Sequence, residues 1–469
     1  MDNTNTNTNN IADNNTSANI NTNINTNIST NISTNINTND FSMFDTIIGY
    51  EEIKDELMRV TDALRNTEAY RRAGTDIPKG MLLYGVPGVG KSLMADVIIN
   101  SSGRNAYVCR KDMPGGAFVN QIKETFDKAI ENEPAIVFLD DLDKFTNGDE
   151  RFTDAEEYVT VQSCIDRAKN YDVFVLATAN KINVLPDSLL RSGRFDVKIE
   201  IEPPRGSEAL AIIKHYLKGK NLSDDIDYEV LARLLEGHSC ADLETVINEA
   251  ARLAVYARDE NICMDHILEA CFRTIFQMRR DAEYYDEEDK ETEPVPEADI
   301  ICHEAGHAVI AELLEPGSVT LINAKYLLSG KAFTSIHHSR EMTVDCIERH
   351  ILVTMGGKAA LELMTGKADG GCKSDLDYAD TLIYRLIAWN AVKGVEYHIA
   401  HIYNVSDKKR NDVEKLIAAE KRAYYDKAYN LLAENRELLQ AMIQLITEKR
   451  IITMRDIKPL VERYAAAGR

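Results

Sequence analysis

Between Phe44 and about Ile201, short apolar runs alternate with stretches whose apolar positions recur every three or four residues. The runs "MLLYG" (81–85), "AIVFLD" (135–140) and "VFVLATAN" (173–180) are apolar at consecutive positions, the pattern of a strand covered on both faces. Buried strands separated by amphipathic helices predict an α/β domain with a largely parallel sheet. From about Ser207 to Phe276 the strand-like runs stop and the pattern becomes wholly helical. "YYDEEDKETEPVPE" (284–297) combines dense acidic charge with two prolines and marks an interdomain linker. Beyond Ala298 the chain reads as helical to its end, broken by a short strand pair near 317–336. The N-terminal stretch is Asn and Thr with an Ile at every fourth position from Ile20 to Ile36, and it has too few apolar groups to bury a core. The predicted divisions are therefore a disordered tail (1–41), an α/β domain (42–206), a helical segment (207–280), an acidic linker (281–298) and a second domain (299–469).

Composition narrows the class. The 469 residues, 44% of them apolar, can fill two or three cores. A net charge of −22 with no basic stripe argues against nucleic acid as the partner. The eight cysteines are scattered without a CxxC pair, which fits a reducing compartment. No stretch of 18 or more residues is uninterruptedly apolar, and no basic-then-apolar leader opens the chain, so the sequence predicts a soluble, cytoplasmic protein without a membrane span.

The first chemistry appears in "LLYGVPGVGKS", where Gly85, Val86, Pro87, Gly88, Val89, Gly90, Lys91 and Ser92 follow a strand and open a helix. Glycines at these positions let backbone N–H groups close around phosphates. Lys91 brings a point charge to the outer phosphates, and Ser92 a hydroxyl for Mg²⁺. Some forty residues on, an apolar strand ends in Asp140 and Asp141, suited to holding the metal and orienting an attacking water. "ATAN" places Asn180 at another strand end beside the expected γ-phosphate, and "LLRSGRFD" supplies Arg191 and Arg194 for charge developing in the transition state. Together these predict a nucleotide site.

The second chemistry is "ICHEAGHAVIAELL" (301–314). His303 and His307, four apart, share one helix face and can offer two imidazoles to one ion, while Glu304 sits beside them to take a proton from water. A catalytic zinc site needs a third protein ligand; by residue type His337, His338, His350, His398, His401 and several acids qualify.

With these motifs in order, the chain resembles the FtsH family of membrane-linked ATP-dependent metalloproteases. The resemblance rests on "FDTIIGYEEIKDEL", "IPKGMLLYGVPGVGKS", "FLDDLD", "NKINVLPDSLLRSGRFD" and "SCADLETVINEAARLA", and spans roughly 42–465. It implies an α/β AAA+ P-loop domain with a helical lid at 207–276, followed by a mainly α-helical zinc metallopeptidase domain. It further implies a homo-oligomeric ring, usually a hexamer, in which Arg191 and Arg194 reach the neighbouring subunit's nucleotide, and it places Ile48 and Gly49 near the adenine. Within "MGGKAALELMTGKADGGCKSDLDYADTLIYRLIAW" it makes Asp375 the third zinc ligand, ahead of Asp377 and Asp380, and it makes 318–336 the strand that holds a substrate extended beside the metal. The expected cofactors are Zn²⁺, ATP and Mg²⁺, and the expected partners are protein substrates.

Three features depart from the family. An Asn/Thr tail stands where transmembrane helices are usual, which favours soluble substrates. Asp141 replaces the usual Glu and is shorter by one bond, about 1.5 Å. Pro114 stands where the pore loop usually carries an aromatic grip, leaving Met113 or Phe118 for that task. An AAA+ remodeller with a structural metal, or a peptidase on a ring that binds ATP but turns it over weakly, is also compatible with these residues.

Overall fold

The computed structural model describes residues 41–112, 115–146, 155–276, 296–324, 332–337, 343–367, 372–389, 391–392 and 407–467. The tail up to residue 40, Met113 and Pro114, the linker up to residue 295, and His338, His398 and His401 lie outside them.

Five parallel strands form the first sheet: β1 (Gly80–Tyr84), β2 (Asn105–Arg110), β3 (Ala135–Asp140), β4 (Val173–Ala179) and β5 (Val197–Glu200), in the order β2-β3-β4-β1-β5. Every residue of β3 and β4 is buried, as their unbroken apolar runs require. Helices cover both faces: Leu82, Val137 and Val175 point into one apolar cluster, while Met81, Ile136 and Phe174 point into another. The carboxyl ends of β1, β2, β3 and β4 thus lie along one edge, where the loops of an open parallel sheet collect ligands.

Four helices follow: Gly206–Leu217, Tyr228–Leu234, Cys240–Ala257 and Met264–Thr274. The third opens on a reciprocal cap in which Ser239 and Asp242 satisfy each other's backbone N–H groups. That cap sits against the β1 loop, where Ala241 N–H donates to Gly88 O at 3.0 Å. A Cβ on Gly88 would stand 2.8 Å from Ser239 Oγ, so the glycine is required by this contact as well as by its φ of +82°.

The second domain is built around the helix Glu297–Leu314, which is buried at every position from Glu304 to Glu312. An α-helix without a polar face belongs at the centre of its domain. It crosses the helix Val344–Thr365 where Gly306 faces Gly356, a contact too close for any side chain at either position. A small antiparallel sheet, ordered β7-β6-β8, joins β6 (Val319–Asn323), β7 (Phe333–Ile336) and β8 (Ile451–Thr453). The β6–β7 pair is the one expected near 317–336; the three residues of β8 are too few to register as a strand in the sequence.

This sheet lies between the two domains. Val319, Ile322 and Ile452 face the second core, whereas Leu321 joins the first, with Phe333 and Ile451 packed beside it. Phe333 stacks 4.8 Å from Phe276, just beyond the last lid helix. Arg233 donates to Gly317 O at 2.6 Å, His337 Nδ1 pairs with Glu236 at 3.0 Å, and Arg455 pairs with Asp227. The structure corrects one expectation here: Phe118 is fully buried, edge-on to Phe145 at 4.8 Å, and is a core residue rather than a substrate grip.

Candidate nucleotide and metal sites

Lys91, Asn180, Asp140 and Asp141 come together at the carboxyl edge of the first sheet. Lys91 is held by three acceptors, Gly85 O at 2.8 Å, Val86 O at 2.9 Å and Asn180 Oδ1 at 2.9 Å. Its burial pulls the ammonium pKa below the ordinary lysine value, against the attraction of Asp141 and Asp143. Asn180 also donates through Nδ2 to Asp141 Oδ1 at 3.3 Å, so one amide joins the P-loop lysine to the second carboxylate. Asp141 has a left-handed backbone (φ 55°), and its other oxygen pairs with Lys144 at 2.8 Å. Asp140 is buried: Thr178 Oγ1 donates to Oδ1 at 2.8 Å, and Arg110 donates to Oδ2 through Nε at 2.8 Å and again through Nη2. Ser92 is exposed at the start of the helix Lys91–Ser102. Ile48 and Gly49 precede Tyr50, whose hydroxyl lies 3.6 Å from Cys240 Sγ on the lid.

The two arginines separate. Arg191 is exposed, whereas Arg194 turns back into its own chain. There Arg194 donates to Asp166 through Nε at 3.2 Å and Nη2 at 2.6 Å, and to Ser188 O. The hydrogen bond from Arg194 is the main reason the Asp166 carboxyl is held down at about 2.

The metal-site residues meet in a cleft of about 450 Å³ lined also by Phe333, Thr334 and Tyr378. His303 Nε2 and His307 Nε2 are 2.9 Å apart, and Asp375 Oδ2 lies 3.1 Å from the first and 3.5 Å from the second. Donors each about 2.0–2.1 Å from a tetrahedral ion stand about 3.3–3.4 Å from one another, so this triangle fits Zn²⁺. It is the only such group of potential ligands among the described residues. The protonation pattern fits as well. His307 Nδ1 is 2.7 Å from Val353 O, and a carbonyl can only accept, so the proton belongs on Nδ1 and the Nε2 lone pair faces the triangle. The buried carboxylate of Glu304 accepts from Thr334 Oγ1 at 2.7 Å.

The remaining ligand candidates lie elsewhere. His337 is paired with Glu236, and Asp380 accepts from Lys421 at 2.9 Å. His350 lines the cleft but stands 3.6 Å from Cys346 Sγ and is outside the donor triangle.

Four participants escape a reading of the sequence by motif: Arg110, Thr334, Val353 and Gly357. A Cβ on Gly357 would stand 2.5 Å from His303 Cε1 and 2.6 Å from both ring nitrogens, so the ring rests on a bare backbone. The signal was present in "MGGKAAL", because two adjacent glycines inside a helix each cost about 1 kcal/mol and call for a close neighbour. Val353 acts through its carbonyl, for which no residue type is diagnostic.

Residues 81–203 match the ATPase family associated with various cellular activities (AAA), 225–269 the AAA+ lid domain, and 296–460 peptidase family M41. The ATP-dependent zinc metalloprotease FtsH 3 of Petrotoga mobilis is 29% identical over 453 residues, covering 90% of this chain and 69% of the relative. The FtsH 3 protein of Symbiobacterium thermophilum is 28% identical, covering 90% of this chain and 71% of the relative. The FtsH protein of Helicobacter pylori is 26% identical, covering 91% and 71% respectively. Among the described residues no helix is long and apolar enough to cross a membrane. The chain thus joins an AAA ATPase domain and lid to a peptidase family M41 domain, and over 90% of its length it is similar to ATP-dependent zinc metalloproteases of the FtsH family.

Proposed function

We propose that this chain unfolds and degrades soluble proteins, hydrolysing their peptide bonds at the His303–His307–Asp375 site within a ring of its own copies that ATP turnover supplies with substrate. The observation that carries the proposal is the cleft itself, which three converging metal donors, the Glu304 carboxylate and strand β7 line together. A structural zinc site would have no use for Glu304 or for an open cleft.

When bound, zinc supplies a Lewis acid that polarises a carbonyl and eases ionisation of water at its open position. His303, His307 and Asp375 would hold it, with Val353 O fixing the His307 ring. Glu304 takes the proton from the attacking water and returns it to the leaving amine. Thr334 keeps that carboxylate aimed across the cleft. Strand β7 is an edge strand of its sheet, so an extended substrate can pair with its backbone while Phe333 and Ile336 line the cleft beside it. Backbone pairing favours unfolded chains and loose sequence preference.

At the nucleotide site Lys91 and Ser92 meet the phosphates and Mg²⁺, Asp140 holds the metal, and Asp141 with Asn180 orients water. Arg191, exposed and therefore free to cross to a neighbouring copy, is the finger for a hexameric ring. A second version, in which the ring binds ATP but turns it over slowly, is supported by Asp141, whose short side chain is tied to Lys144 and Asn180.

The test is degradation of one folded and one unfolded protein, with ATP, without nucleotide and with a zinc chelator. Chelator-sensitive cleavage of both substrates, with the folded one requiring ATP, is expected. No cleavage of either substrate with zinc present would sink the proposal. ATP-indifferent cleavage of the unfolded substrate alone would favour the slow-turnover version.

A further inference from the structure

Arg110 ends β2 and is the register partner of Asp140, which ends β3, so the two side chains leave the sheet on the same face at the nucleotide edge. Both oxygens of Asp140 are engaged, Oδ1 by Thr178 and Oδ2 by two nitrogens of the Arg110 guanidinium. The Asp140 side chain is 3% exposed and that of Arg110 is 66% exposed. A buried carboxylate is therefore covered from the solvent side by a cation free to swing away. Asp96, on the helix that carries the P-loop lysine, adds a second acid here. Burial and the Asp140 charge push its carboxyl up, while Arg110 pulls it down.

Oδ1 already accepts from Thr178, and a metal held at Oδ2 would contend directly with Arg110. Mg²⁺ at that oxygen and a guanidinium on the same atom would be like charges a few ångströms apart, which repel. One must leave. Reading Asp140 as the metal-holding carboxylate of the ATP site, we propose that Arg110 is a resident counter-ion which competes with Mg²⁺ for Asp140 and thereby sets the metal dependence of ATP binding in this chain. Without Mg²⁺, Arg110 keeps Asp140 from repelling the triphosphate. With Mg²⁺, Arg110 must be displaced before the metal can bind.

The experiment measures the affinity of the full chain for a fluorescent ATP derivative by anisotropy, in EDTA and across a Mg²⁺ titration, for the wild type, Arg110→Ser and Arg110→Lys. The wild type should bind in EDTA within about threefold of its Mg²⁺-saturated affinity. Arg110→Ser should lose about tenfold or more in EDTA, keep or improve its Mg²⁺-saturated affinity, and reach half-maximal binding at about tenfold lower Mg²⁺. Arg110→Lys, which keeps the charge without the fork, should fall between the two. Adding Arg110→Ser to Asp140→Asn should change the Mg²⁺ dependence no further. A Mg²⁺ titration of Arg110→Ser that superimposes on the wild type overturns the role of Arg110 while leaving the ATP site intact. Absence of binding by wild type and variants at every Mg²⁺ concentration overturns the ATP site as well. Circular dichroism confirms that each variant is folded, as the exposure of Arg110 leads one to expect.

Discussion

The nucleotide site and the metal site gather similar numbers of charged groups but hold them in opposite ways. At the nucleotide site each ion rests on a partner that a ligand would have to replace: Lys91 on two carbonyls and Asn180, Asp140 on Arg110, Asp141 on Lys144. At the metal site the partners stand behind the ligands and point them forward: Val353 O behind His307, bare Gly357 beneath His303, Thr334 beside Glu304. The first arrangement suits a ligand that comes and goes, because outgoing contacts offset the cost of incoming ones. The second suits a resident ion and a repeated reaction, which gain from donors already in place.

The sharpest way to break this comparison is Glu304→Gln. If the metal site is preorganised, removing the proton carrier should leave zinc content and ATP binding unchanged while peptide cleavage falls on the order of 10³-fold. Atomic absorption and a quenched-peptide assay measure the two separately. Loss of zinc along with activity would show that Glu304 helps hold the ion. Gly357→Ala attacks the support instead of the chemistry. Its backbone needs no left-handed geometry, so the damage is steric and falls first on His303. Zinc affinity should fall about 10- to 100-fold, the usual effect of disturbing a ligand's supporting contacts, with ATP binding unaltered. Unchanged zinc affinity would mean the His303 ring is less constrained than its packing implies.

The same contrast explains what could be read from the chain directly. The P-loop and the His303–Glu304–His307 run are local, because strand–turn–helix and i, i+4 geometry place their groups without help from distant residues. The sheet was legible from the unbroken apolar runs of β3 and β4. Asp375 was reached through family resemblance, since nothing local ties it to a helix some seventy residues earlier. Arg110 and Thr334 are ordinary residues until tertiary structure sets them against Asp140 and Glu304. Phe118 went the other way, an aromatic near a loop that the core had already claimed.

Thr334→Val is a smaller test. It removes one hydroxyl donor from a buried carboxylate and keeps the shape and β-propensity of the residue. One hydrogen bond to a charged group is worth about 1.5–3 kcal/mol, so kcat should fall about 10- to 100-fold, with KM nearly constant because β7 still pairs with substrate. Thr334→Ser should restore most of the rate. A fall in kcat/KM carried by KM alone would assign Thr334 to substrate binding rather than to positioning Glu304.

The smallest effect is expected at Asp166, whose pairing with Arg194 is another exchangeable contact on the nucleotide domain. The Asp166 carboxyl is held at about 2, below the ordinary aspartate value of 3.8. A depressed folded-state pKa contributes stability that is present above about pH 4 and is lost as the pH falls from there towards 2. The carboxylate is 42% exposed, so solvent screening limits the contribution to about 0.5 kcal/mol. Asp166→Asn should therefore lower the melting temperature of this domain by no more than about 2 °C at neutral pH, and the difference from wild type should vanish near pH 2. In the same variant Arg194 loses its bidentate partner and keeps its hydrogen bond to Ser188 O. A melting-temperature loss several times larger would mark the Asp166–Arg194 pair as fixed scaffolding, and the nucleotide site would then be less exchangeable than its other contacts imply.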